Sequence, residues 1–138
     1  MEQRKTVHVV GAVIMHEGKV FAAQRGYGAM KDGWEFPGGK IEAGESEQQA
    51  VVREIREELD TVVEPLRCIG IVDYDYPDFH LHMPCWLCVI KEGSLHLLEH
   101  ENARWLNAEE LDDVDWLSAD RMILENVRQE LLKEDGIT

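Results

Sequence analysis

The sequence predicts an α/β fold, a mixed central β-sheet held between helices as an α/β/α sandwich. Three observations carry this. Short apolar runs rich in β-branched residues recur along the chain. Two longer stretches place apolar residues at helical spacing, and the two kinds of segment are interleaved. At 138 residues one domain is expected, spanning 1–138 and long enough to bury a core.

Residues 5–15, KTVHVVGAVIM, are nearly continuous in apolar and β-branched character, so they predict a central strand buried on both sides. His16-Glu17-Gly18-Lys19 reads as a turn, residues 20–25 as a returning strand, 26–33 as a Gly-containing loop and 34–37 as a short extended piece. Gly38, Gly39 and Gly44 let the next loop bend tightly and come close to a ligand. Ser46 is an N-cap and Gln49 completes a capping box. Helix formers then run to Leu59 without Gly or Pro, and Val51, Val52, Ile55 and Leu59 share one stripe. Residues 65–76 read as a strand, Pro77-Asp78 as a turn and 79–90 as the antiparallel partner. Residues 91–103 read as irregular, 104–106 as a short strand and 107–111 as a capped helical turn. Residues 119–134 read as a last amphipathic helix with Ile123, Leu124, Val127 and Leu131 inward.

Composition narrows the function classes. A net charge of −14 argues against binding a nucleic-acid backbone or an anionic membrane. No segment reads as a signal peptide and no apolar run approaches membrane-span length. Three cysteines, an odd number without secretory features, suggest a reduced cytoplasmic protein. Cys85 and Cys88 form CWLC, but residues three apart on a strand point to opposite faces and no second pair completes a zinc set. Core cysteines are expected.

The chemistry gathers on the helix. Glu54, Glu57 and Glu58 cluster along one edge at i, i+3 and i+4. A solvated acidic face is the plain alternative, yet exposed faces usually alternate charge, and these acids sit beside the apolar stripe and a Gly-Gly turn. A hard divalent cation relieves such a cluster and keeps waters for substrate phosphates. It can polarise a phosphoryl oxygen and supply a nucleophilic water.

The stretch GGKIEAGESEQQAVVREIREELDT resembles the Nudix box, which occupies residues 39–61 here. Gly39, Glu45, Arg53, Glu54, Ile55, Glu57 and Glu58 match in register. Asp60 stands where the family has Gly, and Thr61 where it has an aliphatic residue. Asp tolerates the left-handed conformation better than most residues, so a modest stability cost is expected. The order of elements also resembles the Nudix fold, over nearly the whole chain. The wording WEFPGGKIEAGE resembles MutT-like enzymes. That resemblance implies magnesium-dependent hydrolysis, with manganese as the alternative ion, of a (deoxy)nucleoside triphosphate to monophosphate and pyrophosphate. Water attacks an internal phosphorus in that family.

The same resemblance implies site roles by motif position. Glu54, Glu57, Glu58 and the Gly38 carbonyl are implied as metal ligands. Arg53 is implied to orient a glutamate through a two-pronged contact, with Glu45 its partner or an outer-shell ligand. Glu99 matches a loop glutamate that serves as base or extra ligand, with His100 and Glu101 as neighbours that could be confused with it; a solvated loop acid is the alternative. Arg25 and Lys40 are candidate phosphate contacts or else surface cations. Phe36 packs against a base or belongs to the core. The Pro77-Asp78 turn matches the MutT pattern and makes Asp78 a substrate-binding candidate. Asp120 stands where MutT-like members have Asn. An Asn amide donates and accepts, suiting 8-oxoguanine, whereas an ionised Asp only accepts and favours the amino group of cytosine. This Asp resembles the CTP pyrophosphohydrolase branch, and oxidised purines stay open if it is protonated. The alternative for Asp120 is a plain N-cap of the last helix. His80 and His82 share one strand face and line a pocket, bind metal or lie at the surface. The four tryptophans are expected in the core or a pocket wall.

The implied partner is a small nucleotide, with no nucleic-acid polymer and no membrane, acting as monomer or homodimer. Two other readings are weighed. Hydrolysis of a nucleoside diphosphate derivative such as ADP-ribose is disfavoured by the MutT-like wording and the lack of a long N-terminal extension. A non-catalytic nucleotide sensor is disfavoured by the complete carboxylate set.

Overall fold

Two long strands, β1 (Lys5–His16) and β6 (Phe79–Glu92), lie side by side in parallel through the middle of the sheet. The structure is a computed structural model that describes residues 5–28, 30–96 and 100–137. The remaining strands are β2 (Lys19–Arg25), β3 (Trp34–Glu35), β4 (Gly38–Lys40), β5 (Val62–Asp75) and β7 (His100–Leu106). The helices are α1 (Glu47–Leu59), α2 (Ser118–Arg121) and α3 (Leu124–Ile137), with a 3-10 helix at Ala108–Asp113. Strand order is β3-β2-β1-β6-β5, with β4 on β1 and β7 on β2. All pairs except β1–β6 are antiparallel, so the sheet is mixed, as expected.

Alternation along β1 builds both cores. Val10, Ala12 and Ile14 face α1 and meet Val51, Ile55 and Leu59. Val13 and Met15 face the other way, toward Trp116, Ile123, Val127 and Leu131. Helices therefore cover both faces, which is the expected α/β/α arrangement. The strand is fully buried only over residues 10–15, and its first half is largely exposed. Burying each of these branched side chains is worth roughly 1.5–3 kcal/mol, so Ile55→Ala would cost about 2–5 kcal/mol.

The register of β1 prepares the site. It pairs with β2 only at Met15 and His16, then takes β4 as partner over Val9–Gly11. Gly38 and Gly39 enter the sheet at this change of partner. A Cβ on Gly38 would run into the Val10 carbonyl, so the pairing requires glycine there.

Three expectations are corrected. Residues 100–103 belong to β7 and are not irregular; their ladder partners, such as Ala23 and Gln24, come from β2, and a polar strand carries no local signal of that pairing. The β5 strand begins at Val62, before Pro65, with register shifts that absorb the proline. The last helix is broken: α2 ends at Arg121, and the amides of Met122 and Ile123 bond three residues back, to Ala119 and Asp120, before α3 resumes. Ile123, Leu124, Val127 and Leu131 still point inward.

Candidate active site

A cavity of about 440 Å³ opens where β4, α1, β7 and the start of α2 meet. One end is acidic and glycine-lined, from Gly38, Gly39, Glu54 and Glu58. The other is aromatic and apolar, from Phe36, Tyr76, Phe79 and Met83, and Asp120 lines the wall beside Phe36.

Local sequence fixes the acidic end. Ser46 Oγ accepts from the Gln49 amide at 3.1 Å and Gln49 Oε1 accepts from the Ser46 amide at 2.9 Å, so α1 starts where the capping box predicts. It stops at Asp60, which is left-handed with φ 50°. Thr61 is buried, and its hydroxyl lies 2.9 Å from the Leu59 carbonyl and 3.0 Å from that of Ser94, pinning the helix end. That contact accounts for a hydroxyl where the box has an aliphatic residue.

Arg53 organises the carboxylates. Its Nε and Nη2 donate to the two oxygens of Glu45 at 2.7 and 3.0 Å, a two-pronged contact. Nη1 donates to Glu54 at 2.8 Å and to Glu57 at 3.2 Å, and Nη2 also donates to the Lys40 carbonyl at 2.9 Å. These bonds, led by the one to Glu45, raise the Arg53 pKa further, and the same pairing lowers that of Glu45. Glu54 lies against Gly39, where any Cβ would collide with its carboxylate. Glu58 Oε2 accepts from the Gly38 amide at 3.1 Å.

Carboxylate and carbonyl oxygens are the donors a hard divalent cation takes, and in that chemistry the residues present fit one. Among the described residues no three His, Cys, Asp or Glu side chains converge as a ready ligand set. Glu57 is turned to Arg53 and stands outside the cavity wall.

Beside Glu58 the wall holds a second ionic group. Arg25 Nη2 donates to Glu35 Oε1 at 2.6 Å, and His100 Nε2 lies 3.1 Å from Glu35 Oε2. Burial alone pushes the Glu35 carboxyl up, but the His100 and Arg25 hydrogen bonds outweigh it and hold the group below the usual carboxylate range. Asp120 is buried at 6% exposure, and its Oδ1 accepts from the Phe36 amide at 3.0 Å. Burial pushes its pKa up to about 7, against the Phe36 hydrogen bond. The N-cap reading of Asp120 is corrected: Leu117 holds that position, and Asp120 lies inside α2 with its carboxylate bound to Phe36.

Of the residues singled out in the sequence, the fold brings Arg25, Phe36, Gly38, Glu54, Glu58 and Asp120 to one cavity. It leaves Lys40 and Asp78 exposed and off the wall: Lys40 ends β4, and Asp78 sits at the tip of the β5–β6 turn. Glu99 lies outside the described residues. Phe36 serves core and cavity together, stacked on Trp116 with centroids 4.5 Å apart. His80 and His82 do not line the cavity; they bind Asp73 and Asp75 on the open sheet face. Cys85 and Cys88 are buried on opposite faces of the sheet, as expected, and burial pushes the Cys88 thiol up to about 12. Among the described residues no helix is long and apolar enough to cross a membrane.

Glu35 and Tyr76, which also line the cavity, are not singled out by the sequence, and His100 enters it only as a neighbour of Glu99. Glu35 carried a signal: an acid between two aromatics in WEF, next to the box, must turn from the core while its neighbours enter it.

Comparison with known proteins agrees with this geometry. The NUDIX domain family matches residues 5–130. A CTP pyrophosphohydrolase from Escherichia coli K12 is 34% identical over 122 residues, covering 88% of this chain and 90% of the relative. An 8-oxo-dGTP diphosphatase from the same organism is 30% identical over 127 residues, covering 91% and 98%. A crystal structure of a MutT NUDIX hydrolase from Burkholderia pseudomallei superposes with a TM-score of 0.79 at 27% identity, covering 90% of this chain and 99% of that one. With a family match across most of its length and such relatives, this chain belongs to the Nudix family and is a Nudix hydrolase.

Proposed function

We propose that the chain hydrolyses a (deoxy)nucleoside triphosphate to the monophosphate and pyrophosphate with a divalent cation, magnesium or manganese. The observation that carries this reading is the two-ended cavity, acidic and glycine-lined at one end and aromatic at the other. Its volume of about 440 Å³ suits a small ligand. Glu54, Glu57, Glu58 and the Gly38 carbonyl would hold the cation. Once bound, it would screen phosphate charge and make a water nucleophilic. Arg53 keeps the glutamates in place from behind. Arg25, braced by Glu35, faces the phosphates, with exposed Lys40 as a second contact. Glu99 is the proposed general base. A chain of net charge −14 repels polyphosphate, so local positive charge at this end is required. The same charge disfavours nucleic-acid polymers and membranes as partners, and a cytoplasmic monomer or homodimer is the assembly this reading assumes.

Asp120 would read the base edge beside Phe36, Tyr76 and Phe79. In its ionised form it accepts only, which suits the cytosine amino group. In its protonated form it also donates, which suits a carbonyl of an oxidised purine. With the group pushed up to about 7, both forms are populated near neutral pH. The relatives named for CTP and for 8-oxo-dGTP fit these two forms. The test is a product assay with dCTP, CTP, 5-methyl-dCTP, 8-oxo-dGTP, dGTP, dATP and ADP-ribose, about one pH unit either side of that value. Cytosine nucleotides should gain on 8-oxo-dGTP as pH rises. A ratio independent of pH would remove Asp120 as the reader. Turnover of ADP-ribose alone would replace the triphosphate assignment, and no turnover would favour a sensor.

A further inference from the structure

We infer that Tyr76 is a specificity residue of this site: its hydroxyl donates to the base of the bound nucleotide beside the acceptor Asp120, and the two together select the edge of cytosine over the reversed edge of uracil. The inference rests on the nucleotide reading above and goes beyond it in assigning the donor.

The β5–β6 hairpin fixes the side chain. The Tyr76 amide donates to the Phe79 carbonyl at 2.8 Å, which closes the turn. Its ring stacks on Phe79 with centroids 4.9 Å apart and meets Tyr74 at 4.8 Å. Held this way, half-buried Tyr76 packs against the core cluster that contains Trp116 and Ala119. The hydroxyl is in loose contact with the Ala119 amide, and the charges of Asp120 and Arg25 both act on it. Tyr76, Ala119, Asp120 and Arg25 all line the cavity. Among the described residues the hydroxyl makes no hydrogen bond of normal length and angle, and no side-chain oxygen is sealed in without a partner. The hydroxyl is therefore open to the cavity that its side chain lines. Burial, and next the Asp120 charge, push its pKa up, so it keeps its proton at neutral pH and can donate it.

Asp120 supplies the acceptor. Its Oδ1 takes the Phe36 amide at 3.0 Å, which leaves Oδ2 for a ligand. Cytosine offers a matching pair on one edge, an amino group that donates and, next to it, the ring nitrogen N3 that accepts. Uracil offers the reverse there, a carbonyl and an N3–H. An ionised carboxylate repels that carbonyl, and polar groups left unmet cost affinity. A site built to hydrogen-bond a substrate group rejects the analogue that lacks it.

Calorimetric binding to the whole protein with magnesium, at about pH 8 where Asp120 is mostly ionised, tests this. The ligands are CMP, UMP and 3-deazacytidine monophosphate, in which C–H replaces N3. Wild type should bind CMP about 3- to 10-fold more tightly than the 3-deaza analogue, and UMP more weakly than either. Tyr76→Phe keeps the ring and its stacking. It should lose that factor for CMP and bind the 3-deaza analogue as wild type does, whereas a merely structural loss would weaken both. An equal loss for both ligands in the variant overturns the inference. So does equal binding of CMP and the 3-deaza analogue by wild type, a comparison that needs no variant. If UMP binds wild type as tightly as CMP, the cytosine reading fails and the inference falls with it. If CMP leads UMP and the 3-deaza analogue matches CMP, the role of Tyr76 alone fails. The expected binding without any turnover of CTP would remove the hydrolase reading and leave the assignment of Tyr76 standing.

Discussion

Single atoms set the terms at the acidic end. Gly39 is needed because the Glu54 carboxylate occupies the space a methyl group would take. Gly39→Ala should therefore displace a flexible side chain at little cost to folding, yet lower kcat about 10- to 100-fold. Thermal unfolding and steady-state kinetics on the same sample check this; a loss of stability matching the loss of rate would contradict it. Asp120 makes a different prediction. Its pKa is raised from 3.8 to about 7, so the folded state binds the proton more tightly than the unfolded state. Its contribution is fully present below about pH 4 and is lost as pH rises through 7, a cost of up to about 4 kcal/mol. Asp120→Asn keeps an oxygen for the Phe36 amide and carries no charge. It should be more stable than wild type above pH 7 and gain little near pH 4. Denaturant melts across that range decide it; an equal gain at both ends would show that the buried charge is not the cause.

At the scale of elements, α1 was the part most legible in the sequence, because its determinants are local. Its capping box, apolar stripe and glutamate edge lie within one helix, and the arginine that orders the glutamates is on it too. Asp60 ends the helix with φ 50°, where glycine pays no steric penalty. Asp60→Gly should raise stability by about 1 kcal/mol and leave kcat alone. A calorimetric melt that moved down would contradict this. The polar start of β7 and the break between α2 and α3 were not legible, for one reason. Both depend on distant partners: β7 pairs with β2, and Asp120 is drawn to the Phe36 amide across 84 residues. Helical periodicity does not tell a continuous helix from one interrupted by a tighter turn.

Across the whole molecule, the fold class followed from interleaved strand and helix patterns, and the family followed from the box. The cavity itself was only half visible. Arg25, Phe36, Glu54, Glu58 and Asp120 could be picked out from spacing and resemblance. The Arg25–Glu35–His100 chain could not, since Glu35 and His100 are 65 residues apart and meet only when β2 gathers β3 on one side and β7 on the other. In the same cavity β4 and α1 supply the acidic end, and Phe36 with the β5–β6 hairpin supplies the aromatic end; the hydrolase reading depends on that joining. It is tested most directly by identifying the phosphorus products formed from CTP with magnesium, for wild type and for Glu57→Gln. Wild type should give CMP and pyrophosphate, and the variant, folded as well as wild type, should lose nearly all turnover. Release of CDP and inorganic phosphate, or an undiminished rate in the variant, would contradict the account.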